Sequence, residues 1–115
     1  MAYNEHLGDR IRNVLVRKNY DFEEKKMMGG LCFMVDDKMC VGVVQDSLMV
    51  RTDPEIYNDL LERQGCRQMD FTGRPLKGFL FVDPEGIEQD QDLNSWIQLC
   101  LDFNPKAKSS KKKKK

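Results

Sequence analysis

Four cysteines and one histidine are the residues of this chain best suited to nucleophilic chemistry. Cys32, Cys40, Cys66 and Cys100 supply thiols, and His6 is the one imidazole able to act as their base. The pattern around them argues against that use. Cys32 and Cys40 sit inside apolar runs of strand character, Cys100 lies on the apolar stripe of a helix, and His6 falls at the polar start of another helix. A zinc site would need four clustered ligands, usually with C-x₂₋₄-C spacing, whereas successive cysteines here are 8, 26 and 34 residues apart. Carboxylate pairs such as Glu23-Glu24 and Asp36-Asp37 stand at turns or strand edges, where solvated charge is the ordinary arrangement and general acid–base work is not. No catalytic set converges, and no metal or cofactor is expected.

Basic residues with aromatics between them are the stronger signal. Lys25, Lys26, Arg51, Arg67, Arg74 and Lys77 fall on or beside expected strands, close in sequence to Phe71 and Phe79, as a nucleic-acid surface would require. The tail "PKAKSSKKKKK" adds to it. Residues 105–115 hold seven of the 19 basic residues and no acid, so residues 1–104 carry 12 basic against 19 acidic residues, a formal charge of −7. Lys111, Lys112, Lys113, Lys114 and Lys115 repel one another and bury no apolar surface, so 105–115 is expected to be disordered. It reads either as an electrostatic arm for a polyanion or as a solubilising tail, and the acidic body opposes the first use. Methionines 27, 28, 34, 39, 49 and 69 exceed what a small core needs, and methionine suits adaptable binding surfaces.

The elements that position these residues follow from periodicity. Leu7, Ile11, Val14 and Leu15 form the stripe of an amphipathic helix from Asn4 to Lys18. "KKMMGGLCFMV", "KMCVGVV" and "LMVRT" read as three strands separated by "DDK" and "QDS", with Gly29-Gly30 as a bulge or bend within the first and Gly42 facing the same crowded spot. Asp53, Pro54 and Glu55 open a second helix that Gly65 caps. "CRQMDF" and "KGFLFV" are two further strands around "TGRPL", and Leu93, Trp96, Ile97, Cys100 and Leu101 mark a third helix over about 89–103. The predicted fold is α+β, in the order α-β-β-β-α-β-β-α, with one antiparallel-rich five-stranded sheet packed by helices over residues 1–104.

No apolar run approaches the roughly 20 residues of a membrane helix, and "MAYNEHLGDR" is polar where a signal peptide is apolar. The expected compartment is the cytoplasm, with the cysteines reduced. A small sheet with exposed edges also makes a homodimer an expectation.

Two stretches, "KKMMGGLCFMVDDKMCVGVVQDSLMVRTD" and "GRPLKGFLFVDPEGIEQDQDLNSWIQLCLDF", together resemble the N-terminal domain of the TfoX/Sxy family of bacterial competence regulators. The family motif falls on Lys26, Met27, Met28, Gly29, Gly30, Lys38, Met39, Pro75, Lys77, Gly78 and Trp96, and the likeness spans roughly 5–103. The resemblance implies an α-β₃-α-β₂-α domain without catalytic residues, acting on a protein partner in the transcription machinery. Family members act as coactivators alongside the cyclic-AMP receptor protein, and full-length members carry a second, helical domain where this chain has its lysine run.

Overall fold

The computed structural model describes residues 3–27, 29–68 and 78–106. Helix α1 (Glu5–Arg17) is capped by Asn4, whose side chain accepts from the Leu7 N–H, and it buries Leu7, Ile11, Val14 and Leu15, the stripe read from the sequence. Six strands follow: β1 (Glu23–Met27), β2 (Gly30–Val35), β3 (Lys38–Val44), β4 (Ser47–Arg51), β5 (Cys66–Gln68) and β6 (Phe79–Val82). They form one antiparallel sheet in the order β1-β2-β3-β4-β6-β5. Between β4 and β5 a 3₁₀ turn over Pro54–Ile56, capped by the Asp53 carboxylate, leads into the short helix α2 (Tyr57–Leu61). Helix α3 (Asp90–Phe103) buries Leu93, Trp96, Ile97, Cys100 and Leu101 and ends in a 3₁₀ turn over Asn104–Lys106.

The α+β class stands, but the sheet has six strands where five were expected. The extra strand comes from the glycine pair. Gly29-Gly30 does not bend one strand; it turns β1 back on β2, with Met27 opposite Gly30 and Glu23 opposite Met34. Gly29 takes a φ of +75°, the left-handed region that a Cβ penalises, and Gly30 lets β3 approach so closely that a Cβ there would lie 2.1 Å from the Val43 carbonyl oxygen. The bulge lies elsewhere, between β2 and β3, where Phe33 faces Val41 and Met34 faces Met39, leaving Cys40 as the extra residue. The β2–β3 turn is Asp36-Asp37 as read, both residues at positive φ (60° and 64°), the geometry a two-residue hairpin turn demands. Helix α2 stops at Leu61, so Gly65 (φ +78°) serves the entry to β5 rather than the helix end.

Strand alternation divides the apolar side chains into two clusters. The larger joins α1, α2 and α3 to Leu31, Phe33, Val35, Cys40, Val41, Val43, Leu48, Val50, Leu80 and Val82. The smaller consists of Cys32, Met34, Met39, Met49 and Phe81, with Val44 and Phe79 packed on its margin, and no described helix residue belongs to it. Burying the larger set, at about 25 cal/mol per Å² of apolar area, is the main stabilising term of the domain.

Candidate functional site

Cross-strand register builds the face opposite the helices residue by residue. Side chains directly opposite one another in a sheet point to the same side, so successive partners trace a row. One row runs Lys25, Cys32, Gly42, Met49, Phe81, Arg67, crossing all six strands. Beside it, Met34 stands opposite Met39 and Arg51 opposite Phe79. The next row, Lys26, Leu31, Val43, Leu48, Val82, Cys66, belongs to the helix side. Lys25, Arg51 and Arg67 therefore lie on one face, Lys25 and Arg67 at its opposite edges, while Lys26 is turned to the other side.

The geometry of that face is apolar in the middle and cationic at the ends. Cys32 and Met49 have no exposed area, Met34, Met39 and Phe81 are buried, and Phe79 is half-buried. Gly42 makes room for Met49, whose Cε would lie 2.9 Å from a Cβ at that position. The Arg51 guanidinium lies 5.3 Å from the Phe79 ring centroid and that of Arg67 lies 4.9 Å from Phe81, close enough for cation–π attraction. Arg67 Nε also donates to both oxygens of Asp83 at 3.0 Å, and Ser47 Oγ donates to Asp83 at 2.7 Å. The hydrogen bonds from Arg67 hold the Asp83 carboxyl below the usual carboxylate range, against the opposing effect of its partial burial. Burial lowers the pKa of Arg51. Phe81, Ser47 and Asp83 were not singled out in the sequence; the alternation of Phe79 and Phe81 with Leu80 and Val82 carries the signal for Phe81, whereas nothing in a short polar turn marks Ser47 and Asp83 as partners.

The thiols are poorly placed for nucleophilic work. Desolvation pushes Cys32 up to about 11 and Cys66 to about 11, and burial raises Cys100 well above the ordinary thiol range, with Cys40 beside it. His6 is exposed at the start of α1, and no hydrogen bond links it to a thiol among the described residues. Glu23 and Glu24 part, while Asp36 and Asp37 stay together. Glu24 receives Nε and Nη2 of Arg12 at 2.6 and 2.9 Å, whose hydrogen bonds lower its pKa. Asp21, Glu23, Asp36 and Asp37 line an open cleft of about 460 Å³ with Phe22 and Met34, but the described residues hold no group of three ligands arranged for a metal ion.

Several of the family-motif positions lie at joints of the fold. Lys38 Nζ donates to the Asn104 carbonyl at 3.0 Å, and Asn104 Nδ2 donates to the Val35 carbonyl, so the end of α3 is tied to the β2–β3 hairpin. The Gly78 carbonyl accepts the Thr52 N–H at 2.7 Å. Trp96 is buried beneath the Arg63 guanidinium, 4.3 Å from the ring centroid. Met39 belongs to the second cluster, and Lys26 is exposed. Met28, Pro75, Lys77, Arg74, Phe71 and Lys111–Lys115 lie outside the described residues, as does the Met27 side chain.

The family model of the TfoX N-terminal domain matches residues 15–104. The chain belongs to this family. The TfoX N-terminal domain is a regulatory domain family associated with competence regulation and is not known as an enzyme family. The match begins at Leu15 near the end of α1 and closes at Asn104, so it takes in the whole sheet and α3. No curated protein and no solved structure matches this TfoX N-terminal domain. No helix among its described residues is long and apolar enough to cross a membrane.

Proposed function

We propose that this TfoX N-terminal domain is a non-enzymatic regulatory or adaptor module, which binds a protein partner of the transcription machinery through the accessible margin of the sheet face opposite its helices, where Lys25 and Arg67 are exposed and Arg51 and Phe79 half-buried. The observation that supports this reading is the second apolar cluster. A small domain covers one sheet face with helices and ordinarily leaves the other polar; here the other face holds a second, buried apolar cluster of Met34, Met39, Met49 and Phe81, and the half-buried Phe79 and the cations Lys25, Arg51 and Arg67 stand at its margin. Methionine-rich faces repack around varied partners, and arginines stacked on phenylalanine rings are frequent anchors of protein interfaces. Asp83 is engaged by Arg67 and Ser47 and the Cys32 thiol is buried, so both groups are taken up in charge pairing and packing. The test is affinity capture from a nuclease-treated bacterial lysate with the full chain and with Phe79→Ala and Lys25→Glu variants. One stoichiometric protein recovered by the wild type and weakened by both variants is the expected result; recovery unaffected by either variant overturns the assignment of this face.

A second reading, nucleic-acid binding, is favoured by the placement of Lys25, Arg51 and Arg67 on one face, to which the lysine tail would add charge. It is the weaker reading because Arg67 already shares its charge with Asp83. Binding of labelled single-stranded DNA or RNA that weakens steeply with salt, and weakens further when the chain is truncated after Asn104, would support it. Absent or salt-insensitive binding removes it.

A further inference from the structure

Strand β1 bounds the sheet, and no described strand pairs with its outer side. Its sequence, Glu23-Glu24-Lys25-Lys26-Met27, is exposed from Glu23 to Lys26 and carries equal numbers of each charge. Register fixes which backbone groups face outward. Two residues separate Met27 from Gly30, and a hairpin of that length closes on a hydrogen-bonded pair. Alternation then directs the N–H and C=O of Met27, Lys25 and Glu23 toward β2, leaving those of Glu24 and Lys26 on the open edge. The side chains of Glu24 and Lys26 share the helix side, opposite Phe33 and Leu31.

We propose that β1 is a homodimerisation edge, pairing antiparallel with β1 of a second copy so that Glu24 stands opposite Lys26 of that copy and Lys26 opposite its Glu24. Two copies joined in this way are related by a two-fold axis normal to the sheet, which keeps the helices of both on one side. The pairing can then be centred on Glu24, on Lys25 or on Lys26. Centring on Glu24 sets that carboxylate against itself, and centring on Lys26 does the same to its ammonium. Only the register centred on Lys25 makes both hydrogen-bonded pairs oppositely charged, so charge selects one alignment. Arg12 already holds the Glu24 carboxylate with two hydrogen bonds, which orients it without using all its lone pairs. The cost is at the axis, where Lys25 meets its own copy on the far side of the sheet, with Glu23 diagonal to each. Charged edges ordinarily discourage pairing; this edge rejects strands of other charge patterns and accepts its own. A five-residue edge buries less than the roughly 1,200 Å² of a stable interface, so the dimer is a weak one that forms at high protein concentration.

Sedimentation velocity on the full chain, across the range from about 10 µM to about 1 mM, tests this. The wild type shifts from monomer to dimer with concentration. Lys26→Glu, which leaves the Arg12–Glu24 pair intact, and Glu24→Lys each weaken association by about tenfold or more, because both pairs become like-charged. An equimolar mixture of the two variants restores dimerisation, since it again sets a carboxylate opposite an ammonium in both pairs. Folding of each variant is verified by the emission of the buried Trp96. A wild type that stays monomeric throughout, single variants that dimerise like the wild type, or a mixture no more associated than either variant alone overturns the proposal.

Discussion

Replacing the two adjacent glycines one at a time separates two physical reasons for their presence. At Gly29 the obstacle is conformational: φ is +75°, and a Cβ built there meets nothing within 4 Å. Gly29→Ala therefore costs about 1–2 kcal/mol, the penalty of a Cβ in the left-handed region. At Gly30 the obstacle is steric. A Cβ would lie 3.0 Å from Val44 Cγ2 and 2.1 Å from the Val43 carbonyl oxygen, the latter more than 1 Å inside the 3.4–4 Å of ordinary contact, and backbone cannot rotate away as a flexible side chain can. Moving β3 by that distance breaks ladder hydrogen bonds beside Gly30 and strains the β2–β3 pairing, so Gly30→Ala costs about 3 kcal/mol or more. Each kcal/mol lowers the Tm of a domain this size by about 4–8 °C. Gly29→Ala is thus expected to melt several degrees below wild type, and Gly30→Ala more than about 12 °C below. Urea titration followed by the fluorescence of Trp96, the single tryptophan, together with far-ultraviolet circular dichroism, reads both. Gly29→Asn recovers part of the first loss, because asparagine tolerates this φ, whereas Gly30→Asn recovers nothing. A Gly30→Ala variant within about 0.5 kcal/mol of wild type, or one more stable than Gly29→Ala, would refute the steric account.

Two further outcomes follow from the site. Asp83 titrates low chiefly through its hydrogen bonds from Arg67, so the folded state holds its ionised form more tightly than the unfolded chain does. The stability it contributes is present above the unfolded-state pKa of about 4 and is lost as pH falls through the lower folded value. Wild type should lose about 1 kcal/mol more than Asp83→Asn on acidification below about pH 4, measured by denaturant titration; equal slopes would show that the cluster with Arg67 and Ser47 carries no charge-dependent stability. Native-state thiol labelling should modify Cys66 slowly, as expected for a half-buried thiol near 11, and leave Cys32, Cys40 and Cys100 for the unfolded chain. Rapid labelling of Cys32 at neutral pH would contradict its burial in the second cluster.

The amino-acid sequence determined the two long helices and the Asp36-Asp37 turn, because those depend on neighbours within a few residues. The spacing of Leu7, Ile11, Val14 and Leu15, and of Leu93, Trp96, Ile97, Cys100 and Leu101, reproduces the buried stripes of α1 and α3, and Asp36-Asp37 marks the hairpin its left-handed residues form. The sixth strand escaped the same reading for a local reason. β1 is a charged edge strand without alternation, and the apolar run from Met27 to Val35 conceals the reversal that separates it from β2. The candidate face was half legible: Lys25, Arg51 and Arg67 are visible as basic residues on strands, and the methionine excess is visible in composition. Only the tertiary structure decided that these residues share a row. A strand buried on both faces, such as β2 with Leu31, Cys32, Phe33 and Met34, gives no alternation to say which side chain points where. That choice is made by register with β3 and β4 and by the side the helices take, contacts between residues far apart in the chain that local periodicity does not record.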